Sequence, residues 1–423
     1  MKIIADLHLH SKYSRATSKN SDLENLVKWA KVKGIQLLST ADFTHPIWLA
    51  ELKSKLAEVF PGIYKLTNSP ELRAQGPEQN EVFFILGTEL SSIYSQGGKL
   101  HRIHNLVFAP SCEVVLKINQ ELKRYGNLSS DGRPIFGLSV PSLCKILFNI
   151  SEKIFIVPAH IWTPWFSLYG SNSGFDSIEE CFGPYSSYIK AIETGLSSDP
   201  AMNWRIAELD NRAIISGSDA HSPQKIGREA CVFNLEELNY ESVIKTISGR
   251  NPSGLSFTIE FFPEEGKYHF TGHRNCQITY SPHETKEKGE TCPICGKKLT
   301  LGVMHRVEEL ASREESYQPE DRPSYKSLIP LEEIIAKALG LQVGSSKVKD
   351  EYFKFIFKFQ NEFRILLDEP IANLATLNPK VAEGIQRVRE GKVNISPGYD
   401  GVYGEISIWG DEGEEEQKQP TLF

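Results

Sequence analysis

Histidines and carboxylates recur in short motifs whose spacing suits divalent-ion chemistry. In DLHLH, His8 and His10 are two residues apart, so on a strand their imidazoles share one face and can chelate one ion. Further along lie Asp42 in TAD, Glu89 in GTE, His104, His160 in PAH, Glu193 in ETG, and Asp219 with His221 in DAH. Imidazole and carboxylate donors held together would bind divalent metal ions. Such ions lower the pKa of bound water and steady both oxygens of an in-line displacement at phosphorus. The histidine-rich set suits zinc or manganese, and the carboxylates leave magnesium open. Glu89, Glu193 and Asp219 are the candidate catalytic residues.

A second set has the spacing of a structural zinc site: His273-x2-Cys276, fifteen residues, then Cys292-x2-Cys295. His269 and His283 are alternatives to His273. No βαβ pattern surrounds the CxxC, which argues against a thioredoxin-like redox pair. Cys112, Cys144, Cys181 and Cys231 lie among apolar residues and read as buried free thiols, which fits a reducing, cytoplasmic setting.

Aromatics follow one of the ligand motifs. HIWTPWFSLYGSNSGF (160–175) places Trp162, Trp165, Phe166 and Ser171 beside His160 as candidate substrate contacts that could stack on a splayed base. Packing as an apolar lid is the alternative. Tyr399 and Tyr403 in GYDGVYG, a predicted tight turn, are a second candidate contact, again with packing as the alternative. The chain ends in QPTLF, where Gln419, Leu422 and Phe423 match the start of a sliding-clamp-binding peptide, or else form a frayed tail. His45 and His101 read as structural or substrate-facing.

The elements that must position these residues are seven short β-branched or aliphatic runs: 2–10, 34–42, 81–89, 102–110, 153–160, 188–195 and 212–221. Continuous apolar runs of this length suit strands buried on both faces. Six of the seven end in ligand-type residues, and His104 lies within the other. Helical patterns intervene. In 21–34, Ser21 or Asp22 is the N-cap, Leu23, Leu26, Val27 and Ala30 form the apolar stripe, and Gly34 is the stop. Alternation of this kind predicts an α/β barrel or open sheet, and barrels build their sites at the C-terminal ends of strands. We expect the barrel over 1–250, the zinc-binding module over 251–310, an α+β domain over 311–410 and a flexible acidic tail over 411–423.

The 423 residues are 40% apolar and 24% charged, ordinary for a globular protein. No apolar run approaches the roughly 18 residues of a membrane helix, and the N-terminal apolar stretch is too short for a signal peptide. A net charge of −7 does not by itself suggest nucleic acid, but binding follows local patches, and the DEGEEE stretch at 411–416 inflates the acidic count. No GxxxxGK[ST] loop occurs, which excludes a P-loop NTPase.

DLHLHS, TAD, GTE, His104, PAH and GSDAHS together resemble the ordered motifs of the PHP phosphoesterases. That resemblance implies a distorted (β/α)7 barrel in which His8, His10 and Asp219 hold one ion, His104 and His160 a second, and Glu89 bridges them. The second motif departs from the pattern, with Asp42-Phe43 where many relatives have Asp-His, so a third ion on Asp42, Glu193 and His221 is left open. Longer stretches, HIWTPWF…GSNSGFDSIEECF, SPQKIGREA, HxxC…CPICGKKLTLGV and PGYDGVYG, resemble archaeal endonuclease Q. That implies hydrolysis of DNA 5′ to uracil, hypoxanthine, xanthine or an abasic site, while the QPTLF tail points to a PCNA-like clamp as partner. A small-molecule PHP phosphatase would need neither the cysteine set nor the long C-terminal extension. A non-catalytic DNA-damage or clamp-binding factor would need no carboxylates at a barrel mouth.

Overall fold

All seven predicted strands form in the computed structural model, which describes residues 1–67, 81–249 and 253–409. Lys2–Asp6, Leu37–Ser39 and Phe83–Ile85 pair in parallel, as strands buried on both faces do. They lie within an eight-stranded sheet. Ala230–Asn234 pairs antiparallel with Lys2–Asp6, Leu255–Glu260 follows it, and Ser324–Ser327 forms the edge. One sheet thus continues across residue 250.

The predicted βα alternation is interrupted after the run 81–89. Gly87–Gln96 and Lys99–Phe108 form a long antiparallel hairpin instead of a crossover. Its turn is Gly97–Gly98, where both residues take positive φ (59° and 78°), as a mirror-image turn requires. The hairpin pairs with Phe155–Pro158 and Ile135–Phe136 in a four-stranded sheet, and Ala191–Glu193 pairs in parallel with Ala213–Ile215. The hydrogen-bonded ladder is therefore divided among separate sheets.

A shared interior joins them. Ile3, Ala5, Leu37, Ile85, Leu106, Phe108, Val157, Ala191 and Ile215, from all three sheets, belong to one buried cluster. Their strand neighbours Ile4, Leu38, Phe84, Val107, Ile156, Ile192 and Ile214 join a larger cluster with the helices. The period-two alternation of strands explains this partition.

Helix Leu23–Lys33 forms as its sequence dictates. The Asp22 carboxylate accepts from the Asn25 amide, and Gly34 stops the helix at φ 88°. Downstream, the short hairpin Thr271–His273 and Ile278–Tyr280 carries the first half of the cysteine set. Helices Leu331–Leu339, Ser346–Phe359 and Pro379–Arg389 follow. Among the described residues no helix is long and apolar enough to cross a membrane. In GYDGVYG, Asp400 and Gly401 take φ 42° and 87°, and Tyr399 and Val402 exchange both backbone hydrogen bonds, so the predicted tight turn forms. Gln419, Leu422 and Phe423 lie outside the described residues.

Candidate metal centre

His8 and His10 sit just beyond strand Lys2–Asp6. Between them Leu9 bridges in parallel to Ala220 and packs into the core, so the two imidazoles share the other face. His10 Nε2 is 3.0 Å and His8 Nε2 3.6 Å from Asp219 Oδ1. Glu89 Oε2 lies 3.3 Å from His10 Nε2 and 3.7 Å from His8 Nε2. The other Glu89 oxygen, Oε1, is 2.6 Å from His104 Nδ1 and 3.1 Å from His160 Nε2, and those two nitrogens are 3.4 Å apart. Two donor sets thus meet at one carboxylate. His8, His10 and Asp219 form one, and Glu89, His104 and His160 form the other.

The hairpin is what lets Glu89 serve both. Glu89 and His104 lie on its paired strands, Glu89 opposite Leu106 and His104 opposite Ser91. Asp42, His160 and Asp219 all take left-handed φ (41°, 33° and 46°) where the chain leaves a strand. Such backbones cost about 1–3 kcal/mol each and gather at functional sites. Gly217 allows the close approach behind His8, because a Cβ there would lie 2.6 Å from Glu193 Oε1 and 2.7 Å from His8 Cβ.

Asp42 and Glu193 stand behind the donor sets. Glu193 places both oxygens 3.0 Å from His8 Nδ1 and accepts the His160 amide at 2.9 Å. Asp42 lies 3.2 Å from His10 Nδ1 and accepts from Ser11 and Ser14. A carboxylate on Nδ1 keeps the proton there and turns the Nε2 lone pair outward. His221 is elsewhere: its Nδ1 is 2.9 Å from the Asp219 carbonyl oxygen, and its ring lies 4.6 Å from that of His10. Asp42, Glu193 and His221 are therefore not brought together as a third ion site, because two of them are committed to the far nitrogens of His8 and His10.

The donor sets fit divalent ions. His8 Nε2 is buried and has no hydrogen-bond partner, although it points at Asp219 and Glu89. Four imidazole nitrogens face two carboxylates, the mixed set that zinc or manganese accepts. Burial pushes the Glu89 carboxyl up, but contact with His104, the Arg133 guanidinium and a hydrogen bond with His10 outweigh it and hold Glu89 well below the usual carboxylate range. Asp219 behaves likewise, with His8 and His10 prevailing over burial. Burial, only partly offset by Glu89, pushes His104 down to about 4 and keeps its ring neutral, the form that ligates.

Sequence reasoning missed Arg133. Its Nη1 is 3.1 Å from Glu89 Oε2, and its side chain remains 25% exposed. It lies in a loop that carries no ligand motif, so only the fold brings it to Glu89. Asp219 and His221 reach solvent beside it, at 27% and 31%. The donor sets are thus open on one side.

The aromatic candidates separate. Trp162 is a correction: it is 1% exposed, its indole N–H donates to Asn203 Oδ1 at 2.8 Å, and it packs on Tyr169 within the core. Phe166 lies 4.7 Å from the His104 ring, beside the second donor set. Trp165 is 37% exposed and meets Tyr268 edge-on, and Ser171 is half-buried. Tyr399 is half-buried and would meet a Cβ added to Gly272, whereas Tyr403 is exposed, with Lys267 over its ring. His45 caps helix Pro46–Lys55 and stacks on Tyr13, and His101 stacks on Phe175. Both histidines are thereby accounted for by packing.

His273, Cys276, Cys292 and Cys295 place one ligand atom each within 4.8 Å of one another. The CPxCG turn closes with the Gly296 amide donating to the Cys292 carbonyl at 2.9 Å. Burial raises the Cys292 thiol, but the Cys295 and Ile294 amides outweigh it and hold the thiol at about 6. His283 is exposed and His269 is buried outside the group, so His273 is the histidine of the set.

Comparison with known proteins bears on this arrangement. Residues 330–392 match the model of the MJ0043 C-terminal domain. The chain is 36% identical over 268 residues to the uncharacterised protein MJ0043 of Methanocaldococcus jannaschii, a match that takes in 62% of the chain and spans only 33% of MJ0043. It is 31% identical over 421 residues to YqxK of Bacillus subtilis, covering 96% of the chain and 99% of YqxK. The crystal structure of the lesion-specific endonuclease PfuEndoQ from Pyrococcus furiosus superposes with a TM-score of 0.84 at 33% identity, covering 96% of this chain and 95% of that one. An endonuclease Q in complex with a 27-mer duplex bearing an abasic lesion at the active site gives 0.83 at 33% identity, covering 98% and 99%. With the mixed α/β architecture and both donor sets lying within that end-to-end similarity, the chain belongs to the endonuclease Q family, whose fold is of the PHP type.

Proposed function

We propose that this chain is a metal-dependent DNA repair endonuclease that hydrolyses the phosphodiester 5′ to deaminated bases (uracil, hypoxanthine, xanthine) or abasic sites. The observation that carries this reading is the sharing of Glu89, with one oxygen on each donor set at a rim open to solvent. Similarity to an endonuclease Q bound to a lesion duplex supports DNA as the substrate.

Two divalent ions, when bound, would supply an activated water and stabilise the attacking and leaving oxygens. His8, His10 and Asp219 would hold one, His104 and His160 the other, with Glu89 between. Glu193 and Asp42 fix the orientation of His8 and His10 from behind. Arg133 spends one N–H on Glu89 and has others free to take a non-bridging phosphate oxygen, which a guanidinium does in fixed geometry. Flipping costs least for a damaged or mispaired base, which gives a physical source of selectivity, and Trp165, Phe166 and Tyr403 would be the aromatics that receive such a base.

The same reading takes the three sheets as one distorted barrel closed around their shared core. It makes the His273/Cys set a structural zinc site. It divides the chain into a PHP domain (1–250), a zinc module (251–310) and a DNA-contacting domain (311–410), working in the cytoplasm. Gln419, Leu422 and Phe423 would engage a sliding clamp.

The test uses labelled duplexes with a single uracil, hypoxanthine, xanthine or abasic site, with and without chelator, and maps the nick. Incision 5′ to the lesion that chelator abolishes is expected, and Glu89→Gln should slow it by more than about 100-fold, since even outer-shell changes reach that range. Phosphate release from a monoester with the duplex left intact, or undiminished incision by the Glu89 variant, would overturn the proposal.

A further inference from the structure

A third group of donors lies away from the two described above. Glu290, His305 and Glu309 each offer one ligand atom within 4.8 Å of the others. His305 and Glu309 are four residues apart on helix Val303–Leu310, so they share one face, and His305 Nε2 is 3.5 Å from Glu309 Oε1. Glu290 comes from the segment just before Cys292 and approaches that face from the cysteine module. The His305 ring is 6% exposed, and its Nδ1 is buried with no hydrogen-bond partner. One ring nitrogen of a nearly buried histidine is thus left without a partner, while the other, Nε2, looks towards Glu309. An imidazole with one unpartnered nitrogen, grouped with two carboxylates within 4.8 Å, has the donor chemistry of a divalent-cation site.

The geometry points to a divalent-cation site at Glu290, His305 and Glu309 that staples the cysteine module to helix Val303–Leu310. Zinc or manganese, completed by water, suits one nitrogen and two carboxylate oxygens. The remaining carboxylate contacts leave room for it: Glu309 Oε2 meets Arg306 Nη1 at 3.2 Å, and Glu290 Oε2 meets Lys298 at 3.3 Å.

The helix explains why a staple there matters. Arg306 Nε donates to the Tyr169 carbonyl at 3.1 Å and Nη2 to that of Phe175 at 3.2 Å, and Nη2 also pairs with Asp176. Those residues close the aromatic segment that carries Trp165 and Phe166. Glu309 therefore touches His305 with one oxygen and the arginine that clamps this segment with the other. A cation on Glu309 would fix that arginine and, through it, the segment beside the donor sets. This site stands independently of the nuclease reading.

The experiment is equilibrium dialysis of the full chain against Zn²⁺ alone, with metal per chain read by mass spectrometry. Glu290→Gln is the main variant, because Glu290 is exposed and its loss leaves the fold intact. The variant is expected to bind one ion fewer per chain than the wild type. Glu309→Gln should show the same deficit, and Glu290→Asp should restore the ion at lower affinity. Zinc-edge anomalous scattering from a soaked crystal should place a peak between the three side chains. Equal metal content in the wild type and Glu290→Gln, or a peak absent from the three side chains while the cysteine set shows one, overturns the site.

Discussion

Glu89 has one carboxylate and two neighbouring donor sets, and Arg133 touches the oxygen that faces His8 and His10. The guanidinium stands near the ligands without being one. Arg133→Ala should therefore slow incision by about 100- to 1,000-fold, the loss typical of a transition-state charge donor, with divalent-ion content unchanged. Metal analysis beside single-turnover rates checks this, and a matching loss of metal would instead make Arg133 a ligand-positioning residue. His269 provides a separate test by pH. Burial holds its ring down at about 4, against 6.5 for the ordinary group. The unfolded chain takes up this proton as pH falls through about 6.5 while the folded chain does not, so stability present at neutral pH is lost between about 6.5 and 4. The most this group could remove is about 3 kcal/mol. Urea unfolding at pH 7 and pH 5 should show a steeper loss for the wild type than for His269→Phe, and equal slopes would show that the ring is protonated when folded.

Among the elements, helix Leu23–Lys33 shows how locally some of the fold is written. Its cap, apolar stripe and glycine stop are all within one short segment, and each takes its predicted role. Asp22→Ala should cost about 1 kcal/mol, measured by denaturant unfolding, since it leaves the Asn25 amide without its acceptor. The hairpin Gly87–Gln96/Lys99–Phe108 shows the opposite case. Its second strand covers most of the run 102–110, but its first shares only residues 87–89 with the run 81–89, and the direction of pairing depended on the two-glycine turn. Strand periodicity reports which residues share a face, and pairing direction is decided by the connection.

At the level of the whole molecule, the C-terminal region is bound to the first helix by buried polar groups. Lys33 Nζ is 2.6 Å from Glu362 Oε2, and Glu362 also accepts from the Tyr352 hydroxyl at 2.6 Å and the Leu331 amide at 3.1 Å. Lys33 and Glu362 are both buried. Removing one partner of such a pair strands the other charge, so Lys33→Met should cost about 3–5 kcal/mol. Chemical denaturation measures the loss, and the double change Lys33→Met with Glu362→Gln should recover much of it. If the double variant is no more stable than the single one, the pair is not what holds these parts together.

By itself the sequence determined the ligand types, their order along the chain and the strands that carry them, because period-two alternation and helix caps are local properties. His8, His10, Asp219, Glu89, His104 and His160 could be named before any coordinates, as could His273 and the three cysteines. Tertiary structure alone decided which of these residues join the two donor sets and which stand behind them. Asp42 and Glu193 read as ligands from their motifs, yet they sit on the far nitrogens of His10 and His8, a distinction of a few ångströms that no spacing encodes. Trp162 went to the core, and Arg133 came to Glu89 from a loop without a motif. Which side of a ring a carboxylate approaches depends on the packing of strands far apart in sequence, so it is settled only when those strands meet.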